Sequence, residues 1–255
     1  MKPSIKIINS TLDFPIYEGS DQSLRNKITK IGNKIGFAKT EISNKGIKVI
    51  RGLNNISIEI EEGDKIGILG PNGSGKTTLL KLLSGIYQPT SGKVETVGKI
   101  CSMIDLGFGF HNDATGFENI LISRVMQGES IKDKKEIFKS VESFSGLGEY
   151  LDLPFRTYSS GMKARLALSS ALNNVPDILL IDEFFSTGDL DFTEKSRHKI
   201  EEMIDRSSIM LFASHDLSLI NKICSKAIYM KNGSIKFFGN VKEASQKYQA
   251  EYKSP

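Results

Sequence analysis

Gly70-Pro71-Asn72-Gly73-Ser74-Gly75-Lys76-Thr77-Thr78 decides how this 255-residue sequence is read. The stretch fits the pattern G-x-x-x-x-G-K-[ST]. It stands between an apolar run at 65–69 that reads as a buried strand and a helical run that begins at Lys76. Gly70, Gly73 and Gly75 let the backbone turn so that successive N–H groups point at phosphate oxygens. The start of the helix adds a partial positive charge. Lys76 brings a full charge to the β- and γ-phosphates of a nucleoside triphosphate, and Thr77 offers a hydroxyl to Mg²⁺. Pro71, Asn72, Ser74 and Thr78 complete the loop around the phosphates.

Downstream, Ile178-Leu-Leu-Ile-Asp182-Glu183 is an apolar run closed by two acids. It reads as a buried strand whose C-terminal end carries carboxylates, which is where open α/β sheets bind ligands. Asp182 is placed to hold Mg²⁺ through water, and Glu183 to orient and polarise an attacking water. Between the two motifs, Tyr158-Ser159-Ser160-Gly161-Met162 leads into Lys163-Ala-Arg165-Leu166. A small hydroxyl residue and a glycine at a helix start present N–H groups, a hydroxyl and a helix dipole to an anion. The same residues also suit a plain serine cap on an amphipathic helix.

Around these motifs the chain alternates strands and helices. Period-two alternation marks a strand at 56–60, and two short strands are expected within 94–104. Helical spacing marks 117–127, 131–144, 161–172, 190–204 and 217–223, with a strand at 208–213. Asn232-Gly233 signals a hairpin within 227–238, and a polar helix follows at 240–252. The alternation predicts an α/β fold with a mostly parallel, helix-covered core sheet. By contrast, 11–47 mixes Gly, Ser, Asn and Lys without a period. It reads as a long loop with one short helix near 22–31, after a strand at 5–8.

Composition bounds the rest. The chain is 39% hydrophobic and 25% charged, which excludes disorder, and its two cysteines exclude a disulfide scaffold. No apolar run reaches the roughly 20 residues of a membrane-spanning helix, and 1–10 has no signal-peptide core. These features, with Cys101 and Cys224 alone, fit a reducing cytoplasm. The net charge of +4 is too mild to argue for nucleic acid.

Taken in order, the phosphate loop, the Tyr158–Met162 segment and the Asp182-Glu183 strand resemble an ABC ATPase subunit. The resemblance runs from the phosphate loop through the C-terminal hairpin. It implies a P-loop cassette with a mostly parallel core sheet, an antiparallel β subdomain and a helical subdomain at about 112–174. Residues 1–50 would be an N-terminal strand and extended loop of the cassette, 51–239 the nucleotide-binding domain, and 240–255 a C-terminal helix and tail. Ser159, Ser160, Gly161 and Met162 span the signature motif, Ser159 and Gly161 falling on its serine and second glycine, while Tyr158, Ser160 and Met162 depart from its common form. In this family the motif closes over the nucleotide held by a second copy. His215 falls on the switch histidine and Asp189 on the acid of the D-loop.

Tyr158-Ser-Ser-Gly-Met162, Asp105-Leu-Gly-Phe-Gly-Phe-His111, Thr115-Gly-Phe-Glu-Asn119-Ile120, Phe14-Pro-Ile-Tyr17 and Ser23-Leu-Arg25 further look like the polysaccharide-exporter branch. That resemblance implies ATP and Mg²⁺ as cofactors and a pair of copies on a polytopic permease. It implies a lipid-linked glycan such as O-antigen, capsule or teichoic acid as indirect cargo. The workplace would be the cytoplasmic face of the membrane, reached through the permease.

Two departures stand out. No Gln lies between 100 and 112, where the family carries its Q-loop, and Asp105 is the nearest polar candidate. No aromatic stands near 46–48 to stack on adenine. Tyr17, Phe14 and Phe37 are the aromatics that an N-terminal loop can fold back, and Tyr17 is assigned to the ATP-binding set. The rival reading is a soluble single-cassette ABC ATPase serving a protein or ribosome assembly. The absence of a coiled-coil insertion, a second cassette or a basic aromatic stripe speaks against it.

Overall fold

The computed structural model describes residues 2–16, 40–42, 48–104, 106–107, 109–172, 176–182 and 190–252. The chain divides into two compact units, Met1–Gly98 with Ile209–Pro255, and Lys99–Ser208.

The first unit holds an antiparallel sheet in the order β2-β3-β1-β5, made of β1 (Ser4–Pro15), β2 (Thr40–Ile42), β3 (Lys48–Glu61) and β5 (Ser91–Val97). Strand β1 is longer than its sequence pattern suggests. Ile5 and Ile7 point into the core, but the register shifts between Ile7 and Ser10 and again before Leu12. Asn9 sits at the first shift with φ 45° and exchanges hydrogen bonds with Ser57, both 2.9 Å. This bulge breaks the period-two pattern, so 11–15 reads as loop although it is strand. Beyond the bulge, Arg51 grips Asp13 with two hydrogen bonds of 2.9 and 3.2 Å, fixing β1 to β3. The short helix expected near 22–31 lies outside the described residues.

The same unit carries β4 (Lys65–Leu69), paired in parallel with β8 (Ile209–Ala213) and with β9 (Lys226–Lys231). The strand β10 (Ser234–Asn240) returns antiparallel to β9. Ile66, Ile68, Leu211 and Ile228 are fully buried, which accounts for the unbroken apolar runs of these strands. Among the described residues this unit carries the helices α1 (Lys76–Leu83), α6 (Leu217–Ile223) and α7 (Val241–Tyr252).

In the second unit, β6 (Ile100–Met103) and β7 (Ile178–Asp182) form a parallel pair. The helices are α2 (Gly116–Met126), α3 (Lys134–Ser145), α4 (Ser160–Ala171) and α5 (Leu190–Arg206). Ile120, Val141, Leu147, Leu151, Phe155, Tyr158 and Leu166 make a helical core of their own. No helix among the described residues is long and apolar enough to cross a membrane.

Candidate functional site

Strand β4 ends at Leu69, and the chain turns at once into the loop 70–75. Gly70 has φ +150°, and a Cβ there would lie 2.4 Å from the Met230 carbonyl oxygen and 2.5 Å from the Ser74 hydroxyl. Only glycine fits. Gly75, at φ 104°, starts α1 without a side-chain cap, so the first N–H groups of that helix face outward for a ligand. Lys76 is buried, and its ammonium donates to the carbonyls of Gly70 at 2.8 Å and Pro71 at 3.2 Å. The cation is therefore stored inside the loop. Ser74 is 2% exposed, and its hydroxyl has no hydrogen-bond partner among the described residues. An orphaned buried hydroxyl is costly unless a ligand completes it, and a phosphate oxygen would do so. Asn72, Gly73 and Thr77 are exposed along the loop mouth, and Thr78 is half-buried.

Two further residues are brought to this loop. Ile68 of β4 lies level with Ala213 of β8 in the parallel register. Gly70 and His215 therefore leave neighbouring strands at the same height, with His215 exposed. Its backbone is held by the turn that follows. Asp216 donates its N–H to Ser214 at 3.1 Å, and its carboxylate caps α6 through Ser218 at 2.8 Å and Leu219 at 3.2 Å. On the other side, a Cβ on Gly52 would meet the Phe14 ring at 2.6 Å and the Thr78 methyl at 3.2 Å. Gly52 thus lets Phe14 of β1 approach the first turn of α1. The Phe14 ring stands edge-on to Tyr87 at 5.2 Å and 76°. Tyr17 and Phe37 lie outside the described residues.

The second unit carries the remaining motifs. Asp182 is half-buried at the C-terminal end of β7, just past the Met103–Ile181 pair. Glu183, Asp189 and Asp105 lie outside the described residues. Ser159 caps α4, its hydroxyl accepting from the Met162 N–H at 3.2 Å. Ser160 and Gly161 are exposed in the first turn of that helix, and their N–H groups have no partner within it. Tyr158 and Met162, which depart from the common form of the signature, are both held by packing. Tyr158 is 5% exposed and donates its hydroxyl to the Tyr150 carbonyl at 2.5 Å, while Met162 packs on the same helical core. Burial raises the Tyr158 hydroxyl above its ordinary pKa. Buried Asn119 accepts from His111 at 2.6 Å and donates to His111, Ala114 and Thr115 at 3.0 to 3.2 Å, fixing the turn 111–115. A cleft of about 630 Å³ between Phe144, Arg165, Phe192 and His198 is lined by none of the motif residues.

A family profile described as "ABC transporter" matches residues 53–186, more than half of the chain. The chain belongs to the ABC transporter family. Within it, the O-antigen export system ATP-binding protein RfbE of Yersinia enterocolitica is 40% identical over 89% of this ABC chain and 94% of its own length. The teichoic acids export ATP-binding protein TagH of Bacillus cereus is 37% identical over 78% of this chain, which spans 36% of that protein's length. A solved dimeric ATP-binding cassette in a post-hydrolysis state, bound to ADP and Pi, has the same fold. Its TM-score is 0.64 at 20% identity, covering 93% of this chain and 98% of that one. This ABC chain is an ATPase.

Proposed function

We propose that this chain is the ATP-binding and hydrolysing subunit of an exporter that moves a lipid-linked, O-antigen-like polysaccharide across the cytoplasmic membrane. Two copies work on a polytopic permease, which places the chain peripherally at the cytoplasmic face. What supports this reading is that one copy carries two ends suited by their chemistry to opposite sides of one anion. One is the phosphate loop with its orphaned Ser74 hydroxyl, and the other is the open start of α4 capped by Ser159. Two copies arranged head to tail complete two sites. The choice of cargo rests on relatives named for O-antigen and teichoic acid export.

The roles follow from chemistry. The Lys76 ammonium leaves the Gly70 and Pro71 carbonyls for the β- and γ-phosphates, exchanging neutral acceptors for charged ones. Hydroxyl and carboxylate oxygens are the hard donors that Mg²⁺ takes, so Thr77 and Asp182 fit it. When bound, Mg²⁺ neutralises charge on the β- and γ-phosphate oxygens. Glu183 orients the attacking water and accepts its proton, and His215 donates to the γ-phosphate. Phe14 gives adenine an aromatic neighbour, with Tyr17 following on the same segment. Ser159, Ser160, Gly161 and Met162 of the opposite copy close over the γ-phosphate, and Asp189 lies at the seam between copies. Asp105 stands where the link to the permease is expected.

The test is genetic and direct. Cells lacking this chain are expected to accumulate lipid-linked glycan on the cytoplasmic side and to lose it from the surface. The wild-type chain should restore export, whereas Lys76→Ala should not. Normal surface glycan without the chain overturns the reading, as does recovery of the chain only in soluble ribosome or protein complexes without a polytopic partner.

A further inference from the structure

The turn between β9 and β10 is bonded to the phosphate loop. The Gly233 N–H donates to the Ser74 carbonyl at 2.9 Å, and the Gly233 carbonyl accepts from the Asn54 N–H at 2.8 Å. One residue therefore ties the phosphate loop to β3. The approach leaves no room for a side chain, since a Cβ on Gly233 would lie 2.7 Å from the Gly52 carbonyl oxygen. Asn232 and Gly233 have φ of 50° and 71°, the pair of left-handed conformations that a two-residue type I′ turn requires. Strand β9 runs parallel to β4 with Tyr229 level with Leu69. The turn thus extends past the same sheet edge at which β4 becomes the phosphate loop. The strand leading into it is braced by Glu251 of α7, which accepts from the Tyr229 hydroxyl and the Lys231 ammonium.

The bond acts on an orientation. In a trans peptide the C=O and the following N–H point in opposite directions. Pinning the Ser74 carbonyl toward Gly233 therefore turns the Gly75 N–H the other way, and that N–H opens the helix whose start receives phosphate. We propose that the Asn232–Gly233 turn is a positioning element for nucleotide binding, holding the Ser74–Gly75 peptide with its N–H aimed at the phosphates. The proposal rests on the reading of 70–78 as the phosphate loop.

The test compares full-length variants at Asn232. Glycine takes φ 50° freely, alanine at a cost, and β-branched valine at the greatest cost. Dissociation constants for Mg-ATP and for inorganic pyrophosphate are measured by calorimetry, beside thermal melting without ligand. Asn232→Val is expected to weaken both ligands about tenfold, the scale of one charge-assisted hydrogen bond partly lost. Asn232→Gly is expected to stay within about twofold of wild type, because the turn keeps its shape. A merely structural turn would lower the melting temperature of Asn232→Val and leave both dissociation constants in place, and that result overturns the proposal. If Asn232→Val does not fold, Asn232→Ala reads the same effect at about threefold, and unchanged affinity in it is equally decisive. A wild-type chain that binds neither ligand would instead defeat the phosphate-loop reading itself.

Discussion

Cys101 and Cys224 show how burial decides what a side chain can do. Cys101 lies 6% exposed in β6 with its thiol 3.8 Å from the Ala171 carbonyl, and Cys224 lies 5% exposed at the end of α6. Burial pushes both thiols up to about 12. The Glu129 carboxylate adds to the rise at Cys101, and Lys65 partly opposes it at Cys224. Both are therefore neutral and shielded, and a thiol reagent at pH 8 should label neither in the folded chain and both after unfolding. Rapid labelling of the native protein would contradict this. The same shift has a sign for stability. Below pH 9.0, the ordinary thiol value, both states keep their protons. Above it the unfolded chain loses them while the folded chain does not, so alkali favours unfolding. At pH 10 each thiol costs about 1 kcal/mol on this account. Cys101→Ala should therefore lose less stability than wild type between pH 7.5 and pH 10 in urea titrations under reductant. Equal losses would show that Cys101 plays no part.

The junction of α2 with the segment before α4 shows how one element sets another. Thr115 and Glu118 form a reciprocal capping box that starts α2, with hydrogen bonds of 2.8 and 3.2 Å. Gly116, the first residue of the helix, faces the Tyr158 hydroxyl. A Cβ there would lie 2.4 Å from that oxygen and 3.0 Å from the Leu151 Cα. Tyr158→Phe should cost about 1 kcal/mol in chemical denaturation, the net worth of its bond to the Tyr150 carbonyl. Gly116→Ala should cost more than that, because it collides with both neighbours. Adding Tyr158→Phe to Gly116→Ala should recover part of the loss by removing the nearer oxygen. Strict additivity of the two changes would show that they do not touch. Sequence periodicity locates α2 and α3 well, because each buries one stripe, whereas α4 is buried all round from Leu166 to Ala171. Periodicity misses 11–15 of β1, where the Asn9 bulge shifts the pattern, and the two short 3₁₀ turns at Gly148–Asp152 and Phe155–Thr157, which have no period to detect. The strand–loop–helix passage through 65–83 is legible because its signals lie in consecutive residues. The approach of Phe14 through Gly52 and the bond from Gly233 are not, since only the folded sheet brings those segments together.

At the scale of the whole molecule, the motifs divide between the two units of the chain. The phosphate loop and His215 belong to the first, and the Ser159-capped helix start and Asp182 belong to the second. The head-to-tail reading assigns the helix start of one copy to the phosphate loop of the other, and that assignment can be separated from closure within one copy. On the role proposed for Glu183, Glu183→Gln chains would not activate the water, so bound ATP should persist and hold two copies together, seen by sedimentation as a doubled mass with Mg-ATP. Adding Lys76→Ala removes the cation offered to the phosphates, and adding Gly161→Asp places a carboxylate at the open start of α4, where it would repel the γ-phosphate. Each should leave the chain monomeric when alone. Mixing the two variants supplies one intact phosphate loop and one intact helix start on different copies. A mixed pair then carries one complete site, and ATP should restore part of the doubled mass. If the helix start served its own copy, mixing would restore nothing. If Gly161→Asp chains paired with ATP as readily as the Glu183→Gln parent, α4 would not face the nucleotide at all.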